Sequence, residues 1–152
     1  VRVSEDPCAL APEAAFEDLP RASPLPILVD LSCTSAADAG LYFGRGARAV
    51  AAKPARIGLS EARAIDAVAA RRGGSAALAL YYESALGTLL SLQLAGALAS
   101  RALLPPSQSF FLLLGAQVTH EVPQIRGGKL RLPDEPRLER LVDWEAVKRL
   151  KL

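Results

Sequence analysis

Aromatic side chains are scarce, 5% of 152 residues, which argues against an aromatic-rich β-sandwich. Cysteine is nearly absent: Cys8 and Cys33 are the two thiols, at no zinc-ligand spacing and in no CxxC pair. Two thiols in a chain of this length do not make a disulfide scaffold and are read as free. An excess of one charge is also missing, since 18 basic and 16 acidic residues are interspersed and the net charge is +2. Without a basic stripe, neither nucleic acid nor an anionic lipid surface is expected as a partner. Charges, glycines or prolines interrupt every apolar run before 18 residues, so no membrane-spanning helix is expected. The opening VRVSEDPCAL does not follow the basic, apolar, small-residue order of a signal peptide, and the expectation from both is a cytoplasmic protein. Neither a GxGxxG nor a GxxxxGK[ST] loop is present.

What is there is an alanine- and leucine-rich chain, 51% hydrophobic, long enough for one domain with its own core and suited to helices packed on a buried sheet. Residues 12–21 carry helix formers behind Pro12, and Pro20 is expected to end that helix. PILVD (26–30) is a short apolar run closing on an acid, the pattern of a strand buried on both faces. Ser35 is placed to cap a helix over 36–46. ARAVAAK (47–53) reads as the next strand, the turn PARIGL follows, and Ser60 is expected to cap a helix ending at Gly73-Gly74. SAALALYYE (75–83) is strand-like. Residues 84–101 read as a long helix, with leucines 86, 89, 90, 94 and 98 near one face. PPSQ (105–108) is a loop and FFLLLG (110–115) a further strand. Residues 122–136 alternate around Gly127-Gly128 as a β-hairpin, and residues 143–152 close the chain as an amphipathic helix, against which Trp144 is expected to pack.

Short connections between alternating strands and helices require parallel strands. The pattern therefore predicts an α/β fold: part of a (β/α) barrel, about five parallel β/α units, then the hairpin and helix. Glu5, Asp30, Lys53 and Glu83 stand where the predicted strands stop, 25, 23 and 30 residues apart. On one curled parallel sheet these four side chains share the C-terminal rim, where barrel active sites are built. Two carboxylates there suit a hard cation such as Mg²⁺, and a lysine opposite can move a proton or stabilise an anion. A capping role also accounts for Asp30, and a cap or a surface position for Glu83. A lysine closing a buried run has fewer structural explanations.

These same residues resemble the C-terminal barrel domain of the enolase superfamily, in its mandelate racemase and muconate lactonizing enzyme group. SEDPCA (4–9) is similar to the family's E-D/Q-P element, PLPILVDLS (24–32) to P-I-x-x-D-E-S, and AAKPARIGLSEA (51–62) to K-P-x-R-I-G-G-L-x-E-A. YYESALGT (81–88) resembles L-E-S-x-x-G-T, and residues 125–147 resemble the closing segment that ends D-W-x-A-V. Leu31 stands where the family usually has glutamate, and Gly58 where two glycines are common.

The resemblance implies that residues 1–152 form the C-terminal part of such a barrel domain. It implies that Glu5 and Asp30 are two of three Mg²⁺ ligands and that Lys53 is one of two opposed lysines exchanging the proton α to a carboxylate, with the metal stabilising the resulting enediolate. In the family the third ligand, the second lysine and the capping domain belong to chain that precedes the fourth strand. The implied activity is racemisation, epimerisation, cycloisomerisation or dehydration of a small carboxylate-containing substrate, with Arg56 and Glu83 as candidate substrate contacts. The alternatives are a truncated, non-catalytic remnant of the same fold and an unrelated α/β binding module. Because a partial barrel exposes sheet edges, a homo-oligomer is expected.

Overall fold

The computed structural model describes residues 2–100 and 103–150. Four short strands, β1 (Ser4–Glu5), β2 (Ile27–Val29), β3 (Ala49–Ala52) and β4 (Ser75–Leu78), form one parallel sheet in the order β1-β2-β3-β4. The helices between them are α1 (Asp18–Ala22), entered through a 3₁₀ turn at Ala14–Glu17, then α2 (Ala36–Gly44), α3 (Pro54–Ile57) and α4 (Leu59–Arg71). After β4 come α5 (Ala85–Ala95), the hairpin β5 (Ile125–Arg126) and β6 (Lys129–Leu130), and α6 (Trp144–Leu150).

The sheet is sealed on both faces, as parallel sheets require. Strand pleating sends Ile27, Val29, Val50, Ala52, Ala76 and Leu78 to one side, where they pack with Phe16, Tyr42, Phe43, Ala62, Ile65 and Ala69 from the helical layer. Leu28, Ala49, Ala51 and Ala77 point the other way and are covered by Val3, Ala79, Leu103 and Leu104. Alanine dominates the strands because little space remains between these layers.

Ser35 caps α2 as expected, its Oγ accepting the Asp38 N–H at 3.1 Å. The hairpin also forms, with Gly127 and Gly128 both at positive φ, as its two-residue turn demands. In α6, Asp143 Oδ1 accepts the Ala146 N–H at 2.9 Å. The last two residues of the predicted closing helix, and Arg101 of the long leucine helix, lie outside the described residues.

Several boundaries differ from the expectations. Pro20 lies within α1 rather than at its end; in a first turn its missing N–H removes no helical bond. Ser60 does not cap α4, because Gly58 at φ +82 takes that place and PARI forms α3 with Pro54 in its first turn. The expected strand 75–83 stops at Leu78, and Tyr82 at φ +57 turns the backbone into the left-handed region, where no strand continues. The leucine helix ends at Ala95, and its buried face includes Thr88 and Ser91 as well as Leu89 and Leu94. FFLLLG is a 3₁₀ turn over Phe110–Leu113 that buries Phe111 and leaves Leu112 and Leu113 exposed. The parallel sheet of the described residues thus has four strands, not five. Trp144 is 59% exposed, and Val142 and Ala146 are the buried positions there.

The paired glycines at the end of α4 serve different purposes. Gly73 adopts φ +65 beyond the helix, whereas a Cβ on Gly74 would meet the buried Phe43 ring, 2.8 Å from Cδ1 and 2.9 Å from Cζ. Gly74→Ala is expected to destabilise the fold by about 2 kcal/mol through overpacking, read as a lower midpoint of chemical denaturation.

No disulfide links the thiols: Cys8 is exposed and Cys33 buried. Burial, reinforced by Asp38, pushes the Cys33 thiol up to about 12. Ellman's reagent is therefore expected to modify one thiol in the native protein and two after denaturation.

Candidate active site

Register and pleat bring three of the four predicted strand-end residues together. Glu5 is paired with Leu28 across β1 and β2. Asp30 lies two residues beyond Leu28, and Lys53 two beyond Ala51, so all three follow the alanine-lined face rather than the helical one. Their positions at the carboxyl ends of neighbouring parallel strands put them on one rim.

Lys53 Nζ donates to Asp30 Oδ2 at 2.6 Å, and both side chains are about nine-tenths buried. The other carboxylate oxygen, Asp30 Oδ1, is buried without a protein partner. Glu5, at the end of the neighbouring strand, is exposed. Its carboxyl is raised above the usual range by partial burial first, then by the charges of Asp30 and Asp6, with Lys53 opposing. Two carboxylates close enough to disturb one another, one with an orphaned oxygen, form an acceptor set deficient in positive charge. A divalent cation would relieve that deficiency. Among the described residues, no group of three or more His, Cys, Asp and Glu side chains could hold a metal. Glu5 and Asp30 thus offer two carboxylates, fewer than such a group requires.

Glu83 is not a strand-end residue, because β4 stops five positions earlier. It is nevertheless buried, with Oε2 accepting the Tyr81 N–H and Oε1 without a partner. The Tyr81 ring bridges toward the pair, its centroid 6.0 Å from Lys53 Nζ, at the outer reach of a cation–π contact. Arg56, a candidate substrate contact, makes no carboxylate ion pair among the described residues and instead grips backbone carbonyls. Its Nη2 donates to the carbonyls of Asp30 and Cys33 at 3.2 and 3.0 Å, and its Nη1 to that of Leu31 at 3.4 Å.

Sequence reasoning missed Asp6, whose carboxylate accepts the Asp30 and Leu31 N–H groups, both at 2.9 Å. Its signal was weak: an aspartate before proline, a residue type that tolerates the positive φ of 37° found here. Gln108 was also missed as a site candidate; it is buried, and neither polar atom of its side chain has a partner. His120 is exposed and contributes only its backbone N–H, to Leu141. A cavity of about 1200 Å³ lies elsewhere, between Leu89, the His120–Gln124 segment and the hairpin. No helix of the described residues is long and apolar enough to cross a membrane.

A parallel sheet with its polar strand ends on one rim is the arrangement of a (β/α)-barrel segment, and comparison with known proteins agrees. The family model described as enolase C-terminal domain-like matches residues 1–138. The chain belongs to that family, which is related to racemases, epimerases and cycloisomerases.

Among solved structures, 2-chloromuconate cycloisomerase from Rhodococcus opacus 1CP is 27% identical with a TM-score of 0.88, covering 100% of this chain and 42% of that one. Muconate lactonizing enzyme from Pseudomonas putida is 27% identical with a TM-score of 0.82, covering 98% and 42%. L-Ala-D/L-Glu epimerase from Bacillus subtilis shares the fold at 22% identity and a TM-score of 0.75, covering 91% and 38%. The chain thus spans about two fifths of the length of these structures. A search of curated proteins found no match.

Proposed function

We propose that the rim of this sheet is part of a Mg²⁺-dependent site that abstracts the proton α to a carboxylate, in a racemase, epimerase, cycloisomerase or dehydratase. The observation that carries this reading is the buried Lys53–Asp30 pair, 2.6 Å apart with one carboxylate oxygen unpartnered, beside a Glu5 whose acidity is depressed first by partial burial and then by the charges of Asp30 and Asp6. Glu5 and Asp30 would hold the cation, and other oxygen atoms would complete its shell. When bound, Mg²⁺ supplies the positive charge that stabilises the anion left as the proton departs.

The rest of the work belongs to this chain's own groups. As an amine, Lys53 takes the α-proton while the C–H electron pair stays with the substrate; as an ammonium, it returns a proton. Asp30 fixes where Nζ points. Glu83 Oε1 is a second buried acceptor available to a substrate hydroxyl or amine.

Isothermal titration with Mg²⁺, on the polypeptide as its source cells make it, tests the reading. The wild type is expected to bind one equivalent and Glu5→Gln to bind at least tenfold more weakly. Equal binding by both would remove Glu5 from the site.

Self-association also belongs to this proposal. Among the described residues β1 has a partner strand on one side only, and Leu31, Tyr82 and Leu113 are large exposed apolar side chains. Sedimentation velocity is expected to show a species larger than one chain. The second reading, a remnant that keeps the fold without the chemistry, would leave Mg²⁺ unbound.

A further inference from the structure

Asp30 directly follows β2 and opens a turn, residues 30–33, that belongs to no helix or strand. Such a segment has little intrinsic rigidity, yet its backbone is held from two sides. From β1, the Asp6 carboxylate takes the N–H groups of Asp30 and Leu31, both at 2.9 Å. From α3, the Arg56 guanidinium donates to the carbonyls of Asp30, Leu31 and Cys33, at 3.2, 3.4 and 3.0 Å. One ionised side chain therefore takes the donors and another supplies the acceptors of the same few peptide units. Hydrogen bonds with one ionised partner are the stronger class.

Both arms are themselves anchored. Asp6 is tied to β2 by its own N–H, which donates to Leu28 O at 3.1 Å. Arg56 sits in the turn that begins at Lys53, its backbone N–H donating to Lys53 O at 2.8 Å. The segment that aims the Lys53 amine therefore also carries the guanidinium that holds the backbone of Lys53's partner.

We infer that Asp6 and Arg56 are positioning residues, a two-sided clamp on the Asp30 turn that sets the Lys53–Asp30 geometry without either side chain contacting that ion pair. The inference deepens the function proposed above and rests on it for its catalytic meaning, but the clamp has a readout of its own. An ammonium held against a buried carboxylate is shielded from water, so its protons exchange slowly. In protein labelled with ¹⁵N-lysine, the wild type is expected to show a protected Lys53 ammonium signal.

Asp6→Ala and Arg56→Ala are each expected to speed exchange of those protons at least tenfold and to weaken Mg²⁺ binding 10- to 100-fold, the usual effect of removing a group that orients a ligand. Arg56→Lys is expected not to rescue, because one ammonium cannot span three carbonyls as the planar fork does. Gly74→Ala, a packing lesion remote from the rim, is the control for lost stability and is expected to leave the Lys53 signal unchanged.

A Lys53 ammonium unprotected in the wild type, or equally protected in Asp6→Ala and Arg56→Ala, overturns the clamp. So does an equal loss of protection in Gly74→Ala, which would make the effect one of general stability. If the clamp variants release the Lys53 protons while the wild type binds no Mg²⁺, the clamp stands and the metal-site reading falls.

Discussion

Lys53→Met is expected to lower α-proton exchange by about 10³-fold, within the range contributed by one positioned acid/base group, and to destabilise the fold as well. The second effect follows from burial. Asp30 is 8% exposed and, among the described residues, its one ion-pair partner is Lys53, at 2.6 Å. Methionine fills the lysine's volume but leaves a buried carboxylate without a cation, which costs about 3 to 5 kcal/mol. The double variant Asp30→Asn/Lys53→Met separates the two losses. It removes both charges, so most of the stability is expected to return, whereas exchange stays low because the amine and one proposed Mg²⁺ ligand are both gone. Urea denaturation and deuterium incorporation at the substrate α-carbon report the two quantities independently. Exchange restored in the double variant would show that Lys53 is needed for folding and not for proton transfer.

Asp66→Ala is expected to be the most damaging change away from the rim, at about 3 kcal/mol. Asp66 lies on α4 and is 6% exposed. Its two carboxylate oxygens accept the N–H groups of Ala99 and Ser100, at 2.7 and 2.9 Å, and so fix the turn that follows α5. That turn in turn supports β4: Ser100 Oγ accepts the Ala76 N–H at 3.0 Å, and Ser75 Oγ accepts the Leu103 N–H at 3.0 Å. Alanine would strand two backbone donors in the interior, each at about 1 to 3 kcal/mol, and loosen the edge of the sheet. Asp66→Asn retains one acceptor and is expected to lose about half as much. Amide hydrogen exchange at Ala99, Ser100 and Ala76 should rise together in Asp66→Ala; faster exchange confined to Ala99 and Ser100 would show that β4 does not depend on this connection.

The parts of the structure legible in the sequence are those set by short-range pattern. ILV and AVAA have no polar interruption until Asp30 and Lys53, so the buried strands and the polar residues closing them could be read directly. The hairpin followed from Gly127-Gly128 and the α2 cap from Ser35, since each signal is local. What failed depended on distant partners. Nothing within SAALALYYE shows that Tyr82 turns left-handed or that Glu83 folds back onto the Tyr81 N–H. FFLLLG has a strand's composition but buries only Phe111. Gly74 resembles a helix-exit glycine until Phe43, 31 positions earlier in the chain, is packed against it. The same distance hid Asp6 and Arg56, whose partners lie about 25 residues away in sequence. Motif resemblance gave Lys53, Asp30 and Glu5 their expected roles, while the groups that hold them in place emerge only in three dimensions.

The central claim is that Glu5, Asp30 and Lys53 form one cation-assisted proton-transfer site. The most direct measurement is proton NMR of α-hydrogen washout from a panel of small carboxylic acids in deuterium oxide, using the polypeptide as its source cells make it, with Mg²⁺ and again after chelation. The account predicts washout from at least one acid that requires Mg²⁺ and disappears in Lys53→Met. Washout that persists after chelation, or that survives the loss of Lys53, would contradict it.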